Sequence, residues 1–145
     1  MFIGIQATGK SSFYKERFYR THVRVNYDML KTRHREELLF SACIEGKTKF
    51  VVDNTNLTRL ERARYITPAR NAGFTVIGFF FQSRVADALR RNAGRNEIER
   101  VPDKGILGAS GKLDLPSKTE GFDQLFFVRL NDSDGFTVEE WKNEV

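Results

Sequence analysis

Gly4 to Ser11 read Gly-Ile-Gln-Ala-Thr-Gly-Lys-Ser, which fits the spacing GxxxxGK[ST]. That spacing has a chemical use. The glycines let the backbone curl so that successive N–H groups face phosphate oxygens, and a helix that begins at once adds the positive end of its dipole. At these positions Lys10 bridges the β- and γ-phosphates and the Ser11 hydroxyl holds Mg²⁺. Gly4, Gln6, Ala7, Thr8, Gly9, Lys10, Ser11 and Ser12 are therefore the expected cradle of a nucleoside triphosphate, with ATP and Mg²⁺ as the expected cofactors. The alternative is an ordinary Gly-containing strand-to-helix turn with an exposed lysine.

A second carboxylate-bearing segment is Asp53-Asn54-Thr55-Asn56, which follows the apolar run Phe50-Val51-Val52. A carboxylate at the C-terminal end of a parallel strand lies where ligands of open α/β sheets bind. The same residues also suit a polar turn that closes a strand. Asp28 opens a helical stretch, where Asp commonly serves as an N-cap. Arg90, Arg91 and Arg95 form a basic run, which on charge alone reads as a solvated helix face.

The elements that must position these residues alternate between strand and helix signals. Phe2–Ile5 is an apolar run, Lys10–Tyr19 a helical stretch, His22–Val25 a short strand, and Asp28–Glu45 one longer helix closed by Gly46. Lys49–Val52 reads as a third strand, Thr58–Ala72 as a helix stopped by Gly73, and Phe74–Phe81 as a strand buried on both faces, as in parallel sheets. Ser83 is the expected N-cap of the next helix, which runs to Arg91 or Ala93. Another helix starts at Asp103, Leu125–Leu130 is the last strand, and Thr137–Asn143 is expected to form one or two helical turns around Trp141. The pattern implies an α/β fold with an open parallel sheet of five strands flanked by helices.

The 145 residues suit one domain with a substantial core, to which 13 Phe contribute. The longest apolar stretch, Val76–Phe81, is far short of the roughly 20 residues that cross a bilayer, so no membrane association is expected. Cys43 is the only cysteine, which excludes an internal disulfide and agrees with a cytoplasmic location. Cys43 and two separated histidines do not make a metal site. Nothing points to an obligate protein partner. The net charge is +5, but residues 10–35 carry eight Lys/Arg against Glu16 and Asp28, whereas residues 114–145 carry three basic and eight acidic side chains. The positive field surrounds the phosphate-binding pattern, where it would attract a nucleotide or a nucleic acid.

Taken in order, these features resemble polynucleotide 5′-hydroxyl kinases and their relatives among P-loop and AAA-type ATP-binding kinases, over nearly the whole chain up to about Leu130. The resemblance implies a three-layer P-loop kinase fold, and an Arg-rich lid at approximately residues 90–113. Asn26-Tyr27-Asp28-Met29-Leu30-Lys31 is similar to the segment that carries the family's general base, and Asp28 takes the position of the carboxylate that accepts the proton of the attacking hydroxyl. Three residues on, phage-type members carry an Arg; here Lys31 keeps the charge without the bidentate fork, with Arg33 and Arg35 nearby. Asp53 matches the family's Asp-x-Thr-Asn and would support Mg²⁺ through water or orient Ser11. Leu89-Arg90-Arg91-Asn92-Ala93-Gly94-Arg95 resembles the lid helix, with Arg91 and Arg95 one turn apart and closing over the triphosphate if the helix persists through Gly94.

The resemblance implies transfer of the γ-phosphate of ATP to a hydroxyl, with the 5′-hydroxyl end of RNA or DNA as acceptor. A P-loop kinase of a small-molecule alcohol (sugar, nucleoside or cofactor) and a non-catalytic nucleotide-binding module are the alternatives, because fold does not determine the acceptor.

Overall fold

The computed structural model describes residues 1–131, 133 and 135–142. In chain order the elements are β1 (Phe2–Ile3), α1 (Lys10–Arg17), β2 (Val23–Val25), α2 (Tyr27–Leu30), α3 (Arg33–Glu45), β3 (Phe50–Val52), α4 (Arg59–Asn71), β4 (Ile77–Phe81), α5 (Val85–Ala93), α6 (Asp103–Lys112), a 3₁₀ turn (Lys118–Glu120), β5 (Gln124–Asn131) and β6 (Gly135–Glu140). The phosphate-binding pattern occupies the connection from β1 to α1.

The strands form two hydrogen-bonded groups, β1-β4-β5-β6 and β2-β3, linked by one parallel bridge between Phe2 and Asp53. The expected single sheet of five parallel strands is therefore corrected to a mixed four-stranded sheet beside a two-stranded one. β1 contributes only two residues to the ladder, too few to join β3 along its length. β6 adds an antiparallel edge, with Val128 opposite Val138 and Leu130 opposite Phe136. This strand replaces the expected helical turns around Trp141. Phe136 and Val138 alternate with polar neighbours, a period of two that suits a strand and not a helix. Asn143 lies outside the described residues.

Alternation in β1 and β4 explains the layers. Ile3 and Phe80 point to one face and pack with Ile66 and Ala69 of α4, together with Leu125 and Trp141. Phe2 and Phe81 point to the other, where Phe13 of α1, Val51 and Val128 cover them. Phe13 sits at the centre of an aromatic cluster, with ring centroids 5.3 Å from Phe81 and 5.0 Å from Phe136 in edge-to-face geometry. That packing fixes the axis of α1, and with it the direction in which the loop before it faces.

Helix ends follow local chemistry. The Thr58 side chain accepts from the Glu61 backbone at 3.1 Å, and the Glu61 carboxylate accepts from the Leu57 N–H at 3.0 Å, so α4 starts where Thr58 predicts. The expected helix from Asp28 to Glu45 is broken in two. Lys31 adopts φ 75°, and Thr32 caps a new helix by accepting from the Arg35 N–H at 3.2 Å. Ser83 does not cap α5, whose N-cap is Arg84. The Ser83 hydroxyl instead accepts from the Ile5 N–H at 3.1 Å and donates to the Phe81 carbonyl at 2.8 Å, tying the phosphate-binding loop to the end of β4.

Gly78 lies under the core of this sheet. A methyl group there would approach Leu125 Cδ1 to 2.6 Å and Phe122 Cε1 to 2.7 Å, and both side chains are buried. Overpacking of this kind costs about 1–3 kcal/mol. Gly78→Ala is therefore expected to lower the thermal unfolding midpoint without altering ligand affinity, as calorimetry and a binding titration would show. An unchanged midpoint would contradict the packing described for β4.

Candidate functional site

The loop from Gly4 to Gly9 is held at both ends. The Gly4 N–H donates to the Thr55 carbonyl at 3.0 Å, and the Thr8 hydroxyl donates to the Ile5 carbonyl at 2.9 Å. Gly9 has φ 95°, a conformation that side chains disfavour, and a Cβ there would meet the Phe136 ring at 2.9 Å. α1 starts directly afterwards with no side-chain cap and no acidic residue in its first turn. Its first N–H groups therefore suit an anion. Lys10 Nζ folds over the loop and donates to the carbonyls of Gly4 at 2.9 Å and Ile5 at 2.6 Å. Gln6 Oε1 is buried with no hydrogen-bond partner among the described residues. A polar atom orphaned in the wall of the loop is what a site built for a polar ligand leaves.

At the end of β3, Asp53 is 2 % exposed. Its Oδ2 accepts from the Ser11 hydroxyl at 3.3 Å and from Arg24 Nε at 2.8 Å, while Arg24 Nη2 donates to Ser11 Oγ at 2.8 Å. The two expected metal-side groups, Ser11 and Asp53, thus meet. Both offer hard oxygen atoms, and among the described residues no group of three or more His, Cys, Asp or Glu forms a closed cage. One carboxylate and one hydroxyl fit Mg²⁺, which keeps waters and phosphate oxygens in its shell.

Asp28 lies in α2 and is exposed. The N-cap of α2 is Asn26, whose side-chain oxygen accepts from the Met29 N–H at 2.8 Å. Asp28 therefore does not cap the helix. The Asn26 amide nitrogen donates to the Asp53 carbonyl at 2.5 Å, so one buried side chain fixes α2 to the end of β3. Lys31 ends α2 in the positive-φ region, which costs a non-glycine residue about 1 kcal/mol or more.

Behind α2 stands a network that the sequence did not disclose. Glu36, 1 % exposed, accepts from the Tyr65 hydroxyl at 2.5 Å, from Arg33 at 2.9 Å and from the Asn54 amide at 2.9 Å. Asn54 in turn accepts from the Tyr27 N–H at 2.9 Å. Burial, with the Glu36 bond adding to it, pushes the Tyr65 phenol up to about 12, so it remains a donor throughout the ordinary pH range. Tyr27 and Asn54 are thereby held together, and Asp28 and Asp53 with them. Glu36 lies within a helix, where a single Glu reads as an exposed residue; Arg24 lies within a three-residue strand and carried no signal beyond its charge.

The arginines come from the far side. α5 ends at Ala93 and Gly94 is its C-cap, so the expected spacing of Arg91 and Arg95 by one helical turn does not occur. Arg91 Nη2 donates to the Leu130 carbonyl at 3.0 Å, and Leu130 also borders Gly9. Arg95 donates to the Glu99 carbonyl at 3.4 Å. The buried Asn92 pins this segment through two bonds with Val101, at 2.6 and 3.0 Å.

Lys10 reports on these surroundings electrostatically. Burial pushes its ammonium down to about 8, with Asp53 opposing that shift, Arg95 reinforcing it and Asp28 opposing it. All three charges are therefore near enough to be felt at Lys10. Binding of a polyphosphate favours the charged form and raises this pKa. ADP affinity is then expected to be flat below pH about 8 and to fall by about tenfold per pH unit above it, with proton uptake on binding. Calorimetry in two buffers of different ionisation enthalpy would measure that uptake; none at pH about 9 would contradict the environment assigned to Lys10.

Comparison with known proteins places this geometry in context. Residues 1–109 match the model of the AAA domain family. The crystal structure of Chaetomium thermophilum Kti12 in complex with ADP-AlF3 is similar with a TM-score of 0.67 and 14% identity, covering 92% of this chain and 89% of that one. The crystal structure of a gluconokinase from Sinorhizobium meliloti 1021 is similar with a TM-score of 0.62 and 16% identity, covering 88% of this chain and 79% of that one. At these identities the likeness is one of fold, and the fold is P-loop kinase-like.

Proposed function

This chain belongs to the AAA domain family, and from that premise we propose that it is an ATP- and Mg²⁺-dependent phosphotransferase that moves the γ-phosphate to a hydroxyl, with the 5′-hydroxyl end of RNA or DNA as acceptor. The observation that carries the reading is the placement of Asp28. It is exposed, it caps nothing, it stands on a helix fixed to Asp53 by Asn26, and its charge is felt at Lys10. The crystal structure of Kti12 contains ADP-AlF3, which agrees with a nucleotide on a loop of this fold.

In this reading the Gly4–Ser12 turn binds the triphosphate through its N–H groups, and Lys10 spans the β- and γ-phosphates. A magnesium ion held by Ser11, the phosphates and water near Asp53 would neutralise the phosphate oxygens. Asp28 orients the acceptor hydroxyl and takes its proton. As the acceptor oxygen bonds to the γ-phosphorus, the bond from that phosphorus to the β–γ bridging oxygen breaks and ADP leaves with the electron pair. Lys10, Arg91 and Arg95 stabilise the charge on the transferring group, and Lys31 approaches it from the acceptor side.

An open acceptor side supports a polynucleotide over a metabolite. Tyr27, Met29, Lys31, Arg33 and Arg35, the chain neighbours of Asp28, are all exposed, and three of them are basic. The test is a panel of acceptors incubated with γ-labelled ATP and Mg²⁺. Label on 5′-hydroxyl oligonucleotides and not on sugars or nucleosides is the expected result. Label confined to a small alcohol would replace the acceptor, and none on any acceptor would remove the activity.

A further inference from the structure

The proposed reaction uses Ser11 and Asp53 and gives no part to Arg24, although Arg24 holds both. Resting on the nucleotide and metal roles proposed above, we propose that the Arg24 guanidinium and a divalent cation are alternative occupants of the notch between Ser11 and Asp53.

Three features of the notch support exchange over shared occupancy. Asp53 Oδ2 accepts from Ser11 and from Arg24 at once, at 3.3 and 2.8 Å, so the oxygen facing the notch is already engaged. The Ser11 hydroxyl donates its proton to Asp53 and accepts from Arg24 Nη2 at 2.8 Å, so Arg24 takes one of its two lone pairs and sets a positive charge beside the other. Two positive charges within one hydrogen-bond length of the same oxygen atoms repel strongly. The carboxylate is 2 % exposed, and leaving a buried carboxylate without a close cationic partner is costly. The guanidinium supplies it when no cation is present.

Arg24 also has a way out. Its side chain is 24% exposed, and its Cζ lies 5.8 Å from the centroid of the Tyr14 ring, which is fixed by a 2.6 Å bond from the Tyr14 hydroxyl to the His22 carbonyl. The guanidinium already lies over that ring while it is bonded to Asp53, and the ring can go on holding it when it leaves the carboxylate. β2 pairs in register with β3, Arg24 opposite Val51 and Val25 opposite Val52, so Arg24 is delivered to this notch by the strand ladder and not by a movable loop. Exchange makes the site weak for metal and leaves the nucleotide able to bind without it.

Mn²⁺ binding in the presence of saturating ADP, read by electron paramagnetic resonance, tests the exchange. Arg24→Met and Arg24→Gln are expected to bind Mn²⁺ at least about tenfold more tightly than the parent, the factor to which about 1.4 kcal/mol corresponds. The same variants should gain a larger thermal shift from Mg²⁺ than the parent does, because the cation replaces the lost partner of Asp53. Arg24→Lys retains a charge for Asp53 but not the second N–H arm to Ser11, and it should fold without metal and bind Mn²⁺ more tightly than the parent. ADP binding with unchanged or weaker Mn²⁺ affinity in these variants would overturn the exchange alone. Absence of ADP binding in the parent would overturn the nucleotide site and the exchange with it.

Discussion

Asp28→Asn lowers the turnover of phosphoryl transfer by about 10²–10⁴ and leaves ATP affinity unchanged. The amide keeps the shape of the side chain and can still contact the acceptor, but it cannot accept the proton that the attacking hydroxyl must lose. Stability should hold as well, because the N-cap of α2 is Asn26 and Asp28 has no hydrogen bond among the described residues. The signature is thus a fall in kcat with KM for ATP and the unfolding midpoint unaffected. Equal turnover by the parent and Asp28→Asn would mean that Asp28 is not the base. Equal ATP binding with no turnover in either would point to a nucleotide-binding module.

The largest effect on stability is expected at Arg62, far from the chemistry. Its side chain is 0% exposed. Nε and Nη2 form a fork on Glu120 at 2.8 and 3.1 Å, and Nη1 donates to the carbonyls of Asn56, Leu57 and Asp114, each at 3.0 Å. Arg62 therefore joins the loop after Asp53 to the segment that follows α6. Arg62→Ala leaves a buried Glu120 and three carbonyls without their donor, and breaking such a pair from one side costs about 3–5 kcal/mol. At about 2–4 °C per kcal/mol for a chain near this size, the midpoint should fall by about 10 °C. Arg62→Lys retains the charge but not the fork, and should recover only part of the loss. A shift of under about 2 °C for Arg62→Ala would contradict the accounting of those five bonds.

How much of this was legible beforehand depends on whether the signal is local. The Gly4–Ser11 turn is contiguous, so its place between β1 and α1 follows from the spacing alone, and the Gly46 stop is just as local. The break at Lys31 is not legible because a lysine at positive φ leaves no compositional mark. Thr137–Asn143 suggests helical turns around one large apolar residue, whereas the alternation of Phe136 and Val138 is the stronger cue. The number of strands in each sheet depends on how far β1 extends, which is a ladder property and not a pattern within β1. Arg24, Glu36, Asn92 and Arg62 escaped for a shared reason. Charged and polar types are mostly exposed, so the burial of Glu36, Asn92 and Arg62 and the docking of Arg24 on Asp53 depend on partners in other segments of the chain.

The most direct test of the central claim, that the first turn holds the phosphate chain while Asp28 prepares the acceptor, is a crystal structure with ADP, aluminium fluoride, Mg²⁺ and a 5′-hydroxyl dinucleotide. The expected result is a fluoroaluminate beside Lys10 with the Asp28 carboxylate at about 2.6–3.2 Å from the 5′ oxygen. An empty turn, or a nucleotide in place with Asp28 turned away from that oxygen, would contradict it.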